Sequence, residues 1–482
     1  ELNGRVNRLA NALHRLGLRK GDMVATLLPN CLELLEVYWA ATKTGIVVVP
    51  LSPLLRGRAL SSLLVDSDSR AVVMTPTMTE HLDPIRAELS GIDEGRLVTT
   101  GANETRGYSS YAALVNEASD AEPPDAGLTG DDLYNVMYSS GTTGSPKGIV
   151  QTHAIRAMYC LTCATACRIT PESVILHTGS LAFNGAFITL APAMLQGSTF
   201  VLHPAFDVDR TIDDLAEERV THIVMVPSQI VALLGSDRFD ADWLDALEMI
   251  LSVGAPLHLE HKQELSRRLP GRLYELYGLT EGFATILDRT MVDAKQGSVG
   301  RPMPFSQMKI VDDQGRELLP GEVGEIVGRG PKLMQGYYKR PDLTAETIRD
   351  GWLHTGDMGF VDEDGFLYLV DRKKDMIISG GVNIYPRDIE EVAVTHPAVV
   401  EAAVFGVPDD RWGETPVAAV LVDGTQGVTP EDLERWINER VGARYQKVSR
   451  VIIKNDFPRS LAGKTLKRVM RDEFWKDRDH KI

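Results

Sequence analysis

The chain has 482 residues, 43% of them hydrophobic and 24% charged, and such a length exceeds what one hydrophobic core usually serves. These proportions are ordinary for a globular protein and exclude collagen, coiled coil and intrinsic disorder. Acidic residues outnumber basic ones 67 to 51, which gives a net charge of −16. This charge disfavours general binding of nucleic acid or of an anionic membrane, because like charges repel. We therefore expect a multidomain globular protein of the cytoplasm, with an enzyme as the default class.

The four cysteines are too few for a disulfide scaffold in a chain this long. Three of them, Cys160, Cys163 and Cys167, fall on one face of a helix expected over residues 153–167. Together with His153 they could hold zinc, because three thiolates and one imidazole can form a tetrahedral site, but no further cysteine or paired histidine lies beside them in the sequence. Buried, reduced thiols are the preferred interpretation.

No apolar run has the length of a membrane span. The longest stretches, Gly45–Leu51 and Ala186–Leu202, are too short or are interrupted, whereas spanning needs about 20 apolar residues. No signal-peptide pattern is found at the start. The chain opens at Glu1 on a helical pattern, without Met, and we expect further residues upstream.

From residue 1 to about 280, short apolar runs alternate with amphipathic patterns. This alternation predicts mainly parallel sheets with helices packed outside them. The expected strands are Met23–Leu28, Ile46–Leu51, Ala71–Met74, Val174–Leu176, Thr199–Leu202, His222–Val226 and Met249–Val253, and the expected helices cover 32–43, 153–166, 209–219 and 258–268. The segment Gly101–Gly130 is rich in Ala, Asp, Pro and Ser, and we expect a loose connection there.

After residue 300 the pattern changes to short strands separated by turn sequences, which predicts a small β-rich subdomain over 300–371. From 376 to 482 a strand–helix alternation resumes, over the length of a small α+β domain. The predicted fold is therefore α/β, with a large N-terminal domain over 1–371 that includes the β-rich subdomain. A charged string over 372–375 is the candidate hinge, and a smaller domain follows over 376–482.

A loop rich in glycine and hydroxyl groups is the strongest local signal. It follows an apolar strand that ends at Tyr138, and it contains Ser139, Ser140, Gly141, Thr142, Thr143, Gly144 and Lys147. Glycines let the backbone approach a polyphosphate, hydroxyls and amide hydrogens surround the anion, and a lysine adds compact positive charge. The spacing is not that of a Walker A loop. The alternative interpretation is a flexible surface turn.

Other motifs lie further along the chain. Tyr277-Gly278-Leu279-Thr280-Glu281-Gly282 follows an apolar strand, and ligands of open α/β sheets collect at strand ends. Trp352–Asp357 ends in a carboxylate that could accept ribose hydroxyls. The remaining strings are Gly330–Tyr337, Asp371–Pro386 and the loop Phe457–Lys464.

These strings, in this order, resemble those of the adenylate-forming superfamily, which includes acyl-CoA synthetases, adenylation domains and firefly-type luciferases. The resemblance runs from residue 1 to about 475. It implies ATP, Mg²⁺ and coenzyme A as cofactors and cosubstrates: a carboxylic acid first forms an acyl-adenylate with release of pyrophosphate, and a thiol then displaces AMP.

The resemblance also implies the roles of individual residues. The loop Ser139–Gly148 would cradle the β- and γ-phosphates, Thr280 would contact the α-phosphate and Glu281 would hold Mg²⁺. Asp357 and Arg372 would bind the ribose, and Gly254, Ala255, Pro256, Tyr277 and Gly278 would flank the nucleotide. Lys464 would act on the carboxylate and the α-phosphate during adenylation. Lys374 would then be the hinge of a mobile C-terminal domain that brings Gly380 and Gly381 to the coenzyme A path.

The acyl pocket is expected at Phe183, Asn184, Ser252, Val253, Leu279 and Ala284. Amino-acid-activating members of the superfamily carry an aspartate here for the substrate ammonium, and none lies within 180–187, so the resemblance argues against an amino-acid substrate. The apolar character of the pocket favours a hydrophobic acid. Aromatic, fatty and polycyclic acids all fit. Asn184 is either a ligand for a ring hydroxyl or a satisfied buried amide.

The leading interpretation is an acyl-CoA synthetase. Its two alternatives are a ligase that loads a carrier-protein thiol and a non-catalytic nucleotide-binding protein. The presence of Lys464, Glu281 and Asp357 argues against the second. The oligomeric state, a homodimer included, is left open.

Overall fold

The computed structural model describes residues 1–101, 103–139, 147–240, 243–380, 382–409, 411–424, 427–459 and 465–476. The chain divides into two compact units. The first unit comprises Glu1–Gln296, Pro302–Gln307 and Gly328–Leu353, and the second comprises Gly297–Arg301, Met308–Val327 and His354–Ile482.

Helices and strands alternate through most of the chain. The helices are α1 Leu2–Arg15, α2 Leu32–Thr44, α3 Gly57–Asp66, α4 Thr79–Leu82, α5 Tyr111–Asn116, α6 His153–Cys167, α7 Phe187–Gln196, α8 Val208–Glu217, α9 Pro227–Leu234, α10 Leu259–Arg268, α11 Pro341–Thr347, α12 Pro386–Ala393, α13 Pro430–Arg440 and α14 Lys467–Asp472.

The strands are β1 Met23–Leu27, β2 Val47–Pro50, β3 Ser69–Met74, β4 Leu97–Thr99, β5 Ser109–Ser110, β6 Leu133–Ser139, β7 Lys147–Thr152, β8 Val174–His177, β9 Thr199–Leu202, β10 His222–Met225, β11 Met249–Val253, β12 Leu273–Gly278, β13 Ala284–Leu287, β14 Arg301–Pro302, β15 Gln307–Val311, β16 Gly324–Arg329, β17 Gly336–Tyr337, β18 Ile348–Arg349, β19 Trp352–Val361, β20 Leu367–Arg372, β21 Ile377–Ser379, β22 Val382–Ile384, β23 Val399–Asp409, β24 Gly413–Val422 and β25 Val451–Lys454.

The first unit contains two large sheets. One has the strand order β17-β7-β6-β2-β1-β3-β4-β5, and in the other the order runs β13-β12-β11-β10-β8-β9. β1 pairs in parallel with both β2 and β3. All five residues of β1 are buried, as expected of a strand covered on both faces, and this agrees with a sequence that is apolar except for Thr26.

Antiparallel strands close one edge of each sheet. β6 pairs with β7 in antiparallel register, so that Ser139 lies opposite Lys147 at the end of the hairpin. β13 likewise runs antiparallel to β12, with Tyr277 opposite Thr285. The two loops of the expected phosphate site therefore follow strand ends.

The second unit contains a small sheet, in which β20 pairs with β19, and a separate sheet of the order β22-β21-β24-β23 with β25 beside β24. The long strands β23 and β24 form its largest pairing. Helices α12 and α13 pack their apolar residues Ile389, Leu433 and Ile437 into the core of this sheet. This part of the chain is the α+β arrangement expected for the C-terminal segment.

The predicted helices and strands are present, with bounds that differ by a few residues. The exception is the expected loose connection Gly101–Gly130, which contains β5 and helix α5. Ser110 caps α5 by accepting a hydrogen bond from the Ala113 amide. A capping residue is a local signal for a helix start that amino-acid composition does not reveal. No helix among the described residues is long and apolar enough to cross a membrane.

The compact units divide the chain differently from the expected domains. Met308–Val327 and His354–Asp371 belong to the second unit, whereas the sequence-based division placed all of 300–371 in the N-terminal domain. The proposed hinge at 372–375 lies within the second unit and stays a prediction.

Candidate active site

A lysine, a tyrosine and a glutamate of the first unit meet beside the glycine-rich loop. Lys147 Nζ lies 5.2 Å from the centroid of the Tyr337 ring. The Tyr337 hydroxyl donates a hydrogen bond of 2.8 Å to Glu281 Oε1. Burial, followed by the adjacent Glu281 carboxylate, raises the pKa of Tyr337 well above its usual range. The phenol therefore stays protonated and acts as a fixed donor to the carboxylate.

The glycine-rich loop itself is only partly described. Ser139 and Lys147 face each other across the β6–β7 hairpin. Gly148 packs against the Tyr138 ring, where an added Cβ would lie 3.2 Å from Cζ. The predicted ligands Ser140, Gly141, Thr142, Thr143 and Gly144 lie outside the described residues, and so does Lys464.

The turn that carries Thr280 and Glu281 is fixed by hydrogen bonds to its backbone carbonyl oxygens. Gln151 Nε2 donates to the Thr280 carbonyl oxygen at 2.8 Å. The Met334 amide donates to the Glu281 carbonyl oxygen at 2.8 Å. Gly282 has a φ of +109°, and a Cβ there would lie 1.8 Å from the Lys332 carbonyl oxygen. Only glycine fits this position, which explains the end of the Tyr277–Gly282 motif.

The predicted nucleotide-flanking residues occupy two strand ends of the same sheet. Gly254, Ala255 and Pro256 follow β11, and Gly254 takes a φ of +97°. Tyr277 and Gly278 are the last two residues of β12. Because β11 and β12 pair in parallel, their carboxyl ends lie at one edge, the usual position of a ligand in an open sheet.

The predicted ribose ligands form a pair within the second unit. Asp357 on β19 lies opposite Arg372 on β20, and Arg372 Nε is 3.3 Å from Asp357 Oδ1. The Asp357 residue is 8% exposed. Lys374, the predicted hinge, follows two residues after Arg372.

Gly380 adopts a backbone conformation that disfavours other residues. Its φ is +58°, and an added Cβ would lie 2.7 Å from Cε3 of Trp412. Its amide also donates to the Trp412 carbonyl oxygen at 2.7 Å. Local packing thus supplies a reason for glycine at this position that is separate from the predicted coenzyme A path. Gly381 lies outside the described residues.

The side-chain amide of Asn184 is engaged within the first unit. Arg156 Nη1 donates to Asn184 Oδ1 at 2.8 Å, and Asn184 Nδ2 donates to the Tyr159 hydroxyl at 2.8 Å. Of the two interpretations of Asn184, the satisfied amide therefore describes this structure. Phe183 precedes it, at the start of a short 3-10 helix.

The other predicted acyl-pocket residues do not all lie on one face. Ala284 belongs to the largest core of the first unit, and the partly buried Val253 packs against it. Ser252 is buried, but successive strand residues point to opposite faces of a sheet. We therefore assign the Ser252 and Val253 side chains to opposite faces of β11. Leu279 is half-buried in the turn after β12.

The sequence analysis did not single out four residues that form contacts in this region: Arg156, Tyr159, Gln151 and Tyr337. Tyr337 ends the Gly330–Tyr337 string, which had been noted only as a motif. Arg156 shares a helical face with the cysteines of α6, and a lone arginine on an otherwise apolar face was the available signal.

The cysteines of α6 are not part of a metal centre in the described residues, where no group of three or more His, Cys, Asp or Glu side chains is arranged to hold a metal ion. Cys163 and Cys167 are buried, and burial raises the pKa of both thiols. Protonated thiols are poor metal ligands, which agrees with a packing role.

Comparison with known proteins identifies the family. Residues 1–338 match the family model described as AMP-binding enzyme, and residues 388–464 match the AMP-binding enzyme C-terminal domain. Feruloyl-CoA synthase of Amycolatopsis sp is 37% identical, with 98% of this chain and 93% of that protein covered. Indoleacetate–CoA ligase of Aromatoleum aromaticum is 34% identical, with 98% and 92% covered.

A solved structure agrees with these sequence relatives. The crystal structure of ATP-bound MatB from Rhodopseudomonas palustris superposes with a TM-score of 0.89 at 30% identity, and the match covers 99% of this chain and 93% of that one. The α/β architecture of the two chains is therefore the same. This chain belongs to the AMP-binding enzyme family, within the adenylate-forming superfamily.

Proposed function

We propose that this chain activates an aromatic carboxylic acid with ATP and transfers the acyl group to coenzyme A. The chain is an acid–thiol ligase of the AMP-forming type. The two sequence relatives described above are named for feruloyl and indoleacetate groups, and both of these acids are aryl compounds. Fatty and polycyclic acids are the competing substrate classes.

The contact among Lys147, Tyr337 and Glu281 is the observation that carries the proposal for adenylation. A carboxylate must attack the α-phosphorus of ATP, and negative charge then builds on the departing pyrophosphate. Lys147 places an ammonium group at the start of β7, where it would bind those phosphates. The Tyr337 hydroxyl fixes Glu281, so the carboxylate needs no rearrangement when the nucleotide binds.

Glu281 also fits the expected Mg²⁺. Magnesium commonly takes one or two carboxylates together with water and phosphate oxygens, instead of a cage made wholly of protein. The absence of a cluster of three acidic, histidine or cysteine side chains from the described residues agrees with that mode. Glu281 would hold the ion against the phosphates of ATP, and the ion would neutralise charge on them.

Further residues take roles in this proposal by resemblance. Thr280 would contact the α-phosphate, and the Asp357–Arg372 pair would bind the ribose hydroxyls. Lys464 would stabilise the α-phosphate during adenylation, and the strand holding Gly380 would serve the second step. There the coenzyme A thiol loses its proton and attacks the acyl carbon, and the bond between that carbon and the AMP oxygen breaks.

A panel of carboxylic acids, read out by pyrophosphate release with and without coenzyme A, tests the proposal. We expect aryl acids to give the highest kcat/KM and AMP to accumulate only in turnover with coenzyme A. Acylation of a carrier-protein thiol in preference to coenzyme A would reassign the acceptor. Formation of ADP from ATP with every acid would contradict the proposed reaction.

A further inference from the structure

Two buried cations lie over the ring of one tyrosine in the first unit. Lys332 is 2% exposed and Arg156 is 6% exposed. Lys332 Nζ lies 5.3 Å from the centroid of the Tyr159 ring, and Arg156 Cζ lies 4.9 Å from the same centroid. We call Lys332, Tyr159, Asn184 and Arg156 the polar cluster.

Neutral atoms are the acceptors for both cations. Lys332 Nζ lies 2.9 Å from Met303 Sδ, and a thioether is a weak acceptor. Arg156 donates to the amide oxygens of Asn135 and Asn184. Among the described residues, the hydrogen-bond partners of both cations are uncharged, and Arg156 Nη2 also lies 3.6 Å from Met137 Sδ.

Burying these two cations is energetically unfavourable in the protein without a ligand. Burying an ammonium group without a counter-ion is unfavourable, and the group responds by losing its proton more readily. Burial accordingly lowers the pKa of Lys332. Arginine keeps its charge in such a site, whereas lysine can become a neutral amine whose nitrogen accepts a hydrogen bond. Lys332 is therefore the member of the polar cluster whose hydrogen bonding a ligand can complete.

The polar cluster adjoins residues expected to line the acyl pocket. Asn184, predicted for that pocket, bonds to both Arg156 and the Tyr159 hydroxyl. Ala284 shares one apolar core with Tyr159 and Met303. The Lys332 carbonyl oxygen packs against Gly282, which directly follows Glu281. The polar cluster therefore adjoins both a residue predicted for the acyl pocket and the turn that carries Glu281.

We infer that the polar cluster forms part of the acyl subsite and that Lys332 recognises a ring hydroxyl of an aryl acid. This inference rests on the proposed function and names its substrate class. The phenol donates its hydrogen bond to the Lys332 amine, or passes its proton to that nitrogen and leaves a phenolate–ammonium pair. When an acid without the hydroxyl binds, Lys332 keeps only the weak thioether acceptor. Leaving a buried polar group without a good partner is costly, so the enzyme should discriminate strongly against such acids.

The activity test compares three acids of one shape, a 4-hydroxycinnamate, the 4-methyl analogue and unsubstituted cinnamate. For wild type we expect the highest kcat/KM with the hydroxylated acid. Lys332→Met should lower that value by about tenfold or more and leave the unsubstituted acid unchanged or improved. Lys332→Arg can donate to the hydroxyl oxygen or pair with a phenolate but offers no acceptor nitrogen, so it should retain only part of the preference. Equal losses on all three acids would overturn the inference, because they would show a purely structural role.

Lys339→Met is the matched control, since Lys339 Nζ lies 5.3 Å from the Tyr338 ring centroid but is exposed and paired with Asp68. It should leave the ratio among the three acids unchanged. Melting temperatures of all variants identify any that fail to fold. Tyr159→Phe provides a second variant, which keeps the ring and removes the hydroxyl bonded to Asn184; it should also reduce the preference for the hydroxylated acid.

A binding measurement separates this inference from the proposed function. We expect the absorption band of the hydroxylated acid to move to longer wavelength when it binds wild type without ATP, because a phenol shifts in this direction both when it donates a hydrogen bond to an amine and, further, when it loses its proton. This shift should be lost in Lys332→Met. If the shift is present but no acid releases pyrophosphate, the proposed reaction fails and the subsite stands. If wild type produces no shift and shows no preference for the hydroxylated acid, the subsite assignment fails.

Discussion

Arg459 and Glu401 form a bidentate ion pair next to the segment that carries Lys464. Arg459 Nη2 is 2.5 Å from Glu401 Oε2, and Nη1 is 3.3 Å from Oε1. Thr465, which directly follows Lys464, donates its hydroxyl to Glu401 Oε1 at 2.7 Å. Arg459 and Thr465 also form a β-bridge. One carboxylate on β23 therefore bonds to both Arg459 and Thr465, the residues that flank 460–464 in the sequence.

We expect Glu401→Gln to slow adenylation by about 10- to 100-fold, because small displacements of a catalytic group are costly. Transfer from supplied acyl-adenylate to coenzyme A should change little, since Lys464 has no proposed role in that step. The measurement is the rate of each half-reaction. Glu473→Gln removes a carboxylate of the same unit that pairs with Lys454, and it should leave both rates unchanged. Equal slowing of both half-reactions by Glu401→Gln would indicate general damage to the unit.

Lys464→Ala tests the role assigned to the lysine itself. Loss of a cation that stabilises the transition state should lower pyrophosphate release by about 10²- to 10³-fold. Thioester formation from supplied acyl-adenylate should be largely retained. An equal loss in the two half-reactions would contradict the proposed division of roles between Lys464 and the strand holding Gly380.

Tyr337→Phe removes the hydroxyl that fixes Glu281. A hydrogen bond to a charged group contributes about 1.5–3 kcal/mol, so we expect kcat/KM for ATP to fall by about tenfold or more. The Mg²⁺ concentration needed for half-maximal activity should also rise. Tyr338→Phe is a matched control, because the Tyr338 hydroxyl donates to Asp68 instead, at 2.8 Å. A normal Mg²⁺ dependence in Tyr337→Phe would exclude the proposed role of this contact.

His177 predicts an acid-sensitive fold. Its side chain is buried and stacks on Phe200, with ring centroids 5.6 Å apart, and burial lowers the pKa of His177 to about 4. The unfolded chain, with an ordinary pKa near 6.5, binds the proton more tightly than the fold does. Stability is therefore complete above about pH 6.5 and decreases as pH falls towards 4.

The test is the midpoint of thermal unfolding between pH 7 and pH 4. His177→Gln should be less dependent on pH than wild type over this interval, although other buried histidines retain part of the dependence. His81→Gln, on the short helix α4, serves as the comparison. If the melting temperatures of His177→Gln and wild type fall by the same amount between pH 7 and pH 4, proton uptake by His177 is not a cause of acid instability.

The sequence predicted the order of elements because each signal is local. The alternation of apolar runs and amphipathic patterns gave strands and helices. The resemblance to the adenylate-forming superfamily assigned nucleotide-binding roles to Lys147, Glu281, Asp357 and Arg372, and these roles stay predictions.

Contacts between distant residues were decided by the tertiary structure. Tyr337 meets Glu281 across 56 positions of sequence, and no local pattern specifies that meeting. In the sequence, Asn184 is equally consistent with a substrate ligand and with a buried amide. The fold places Arg156 and Tyr159 beside it, and both hydrogen-bond to its side chain. Lys332 looks like an ordinary surface lysine in the sequence. The fold removes it from water and places its ammonium group beside Tyr159 and Met303, because burial is a property of the whole fold and not of the segment that carries the residue.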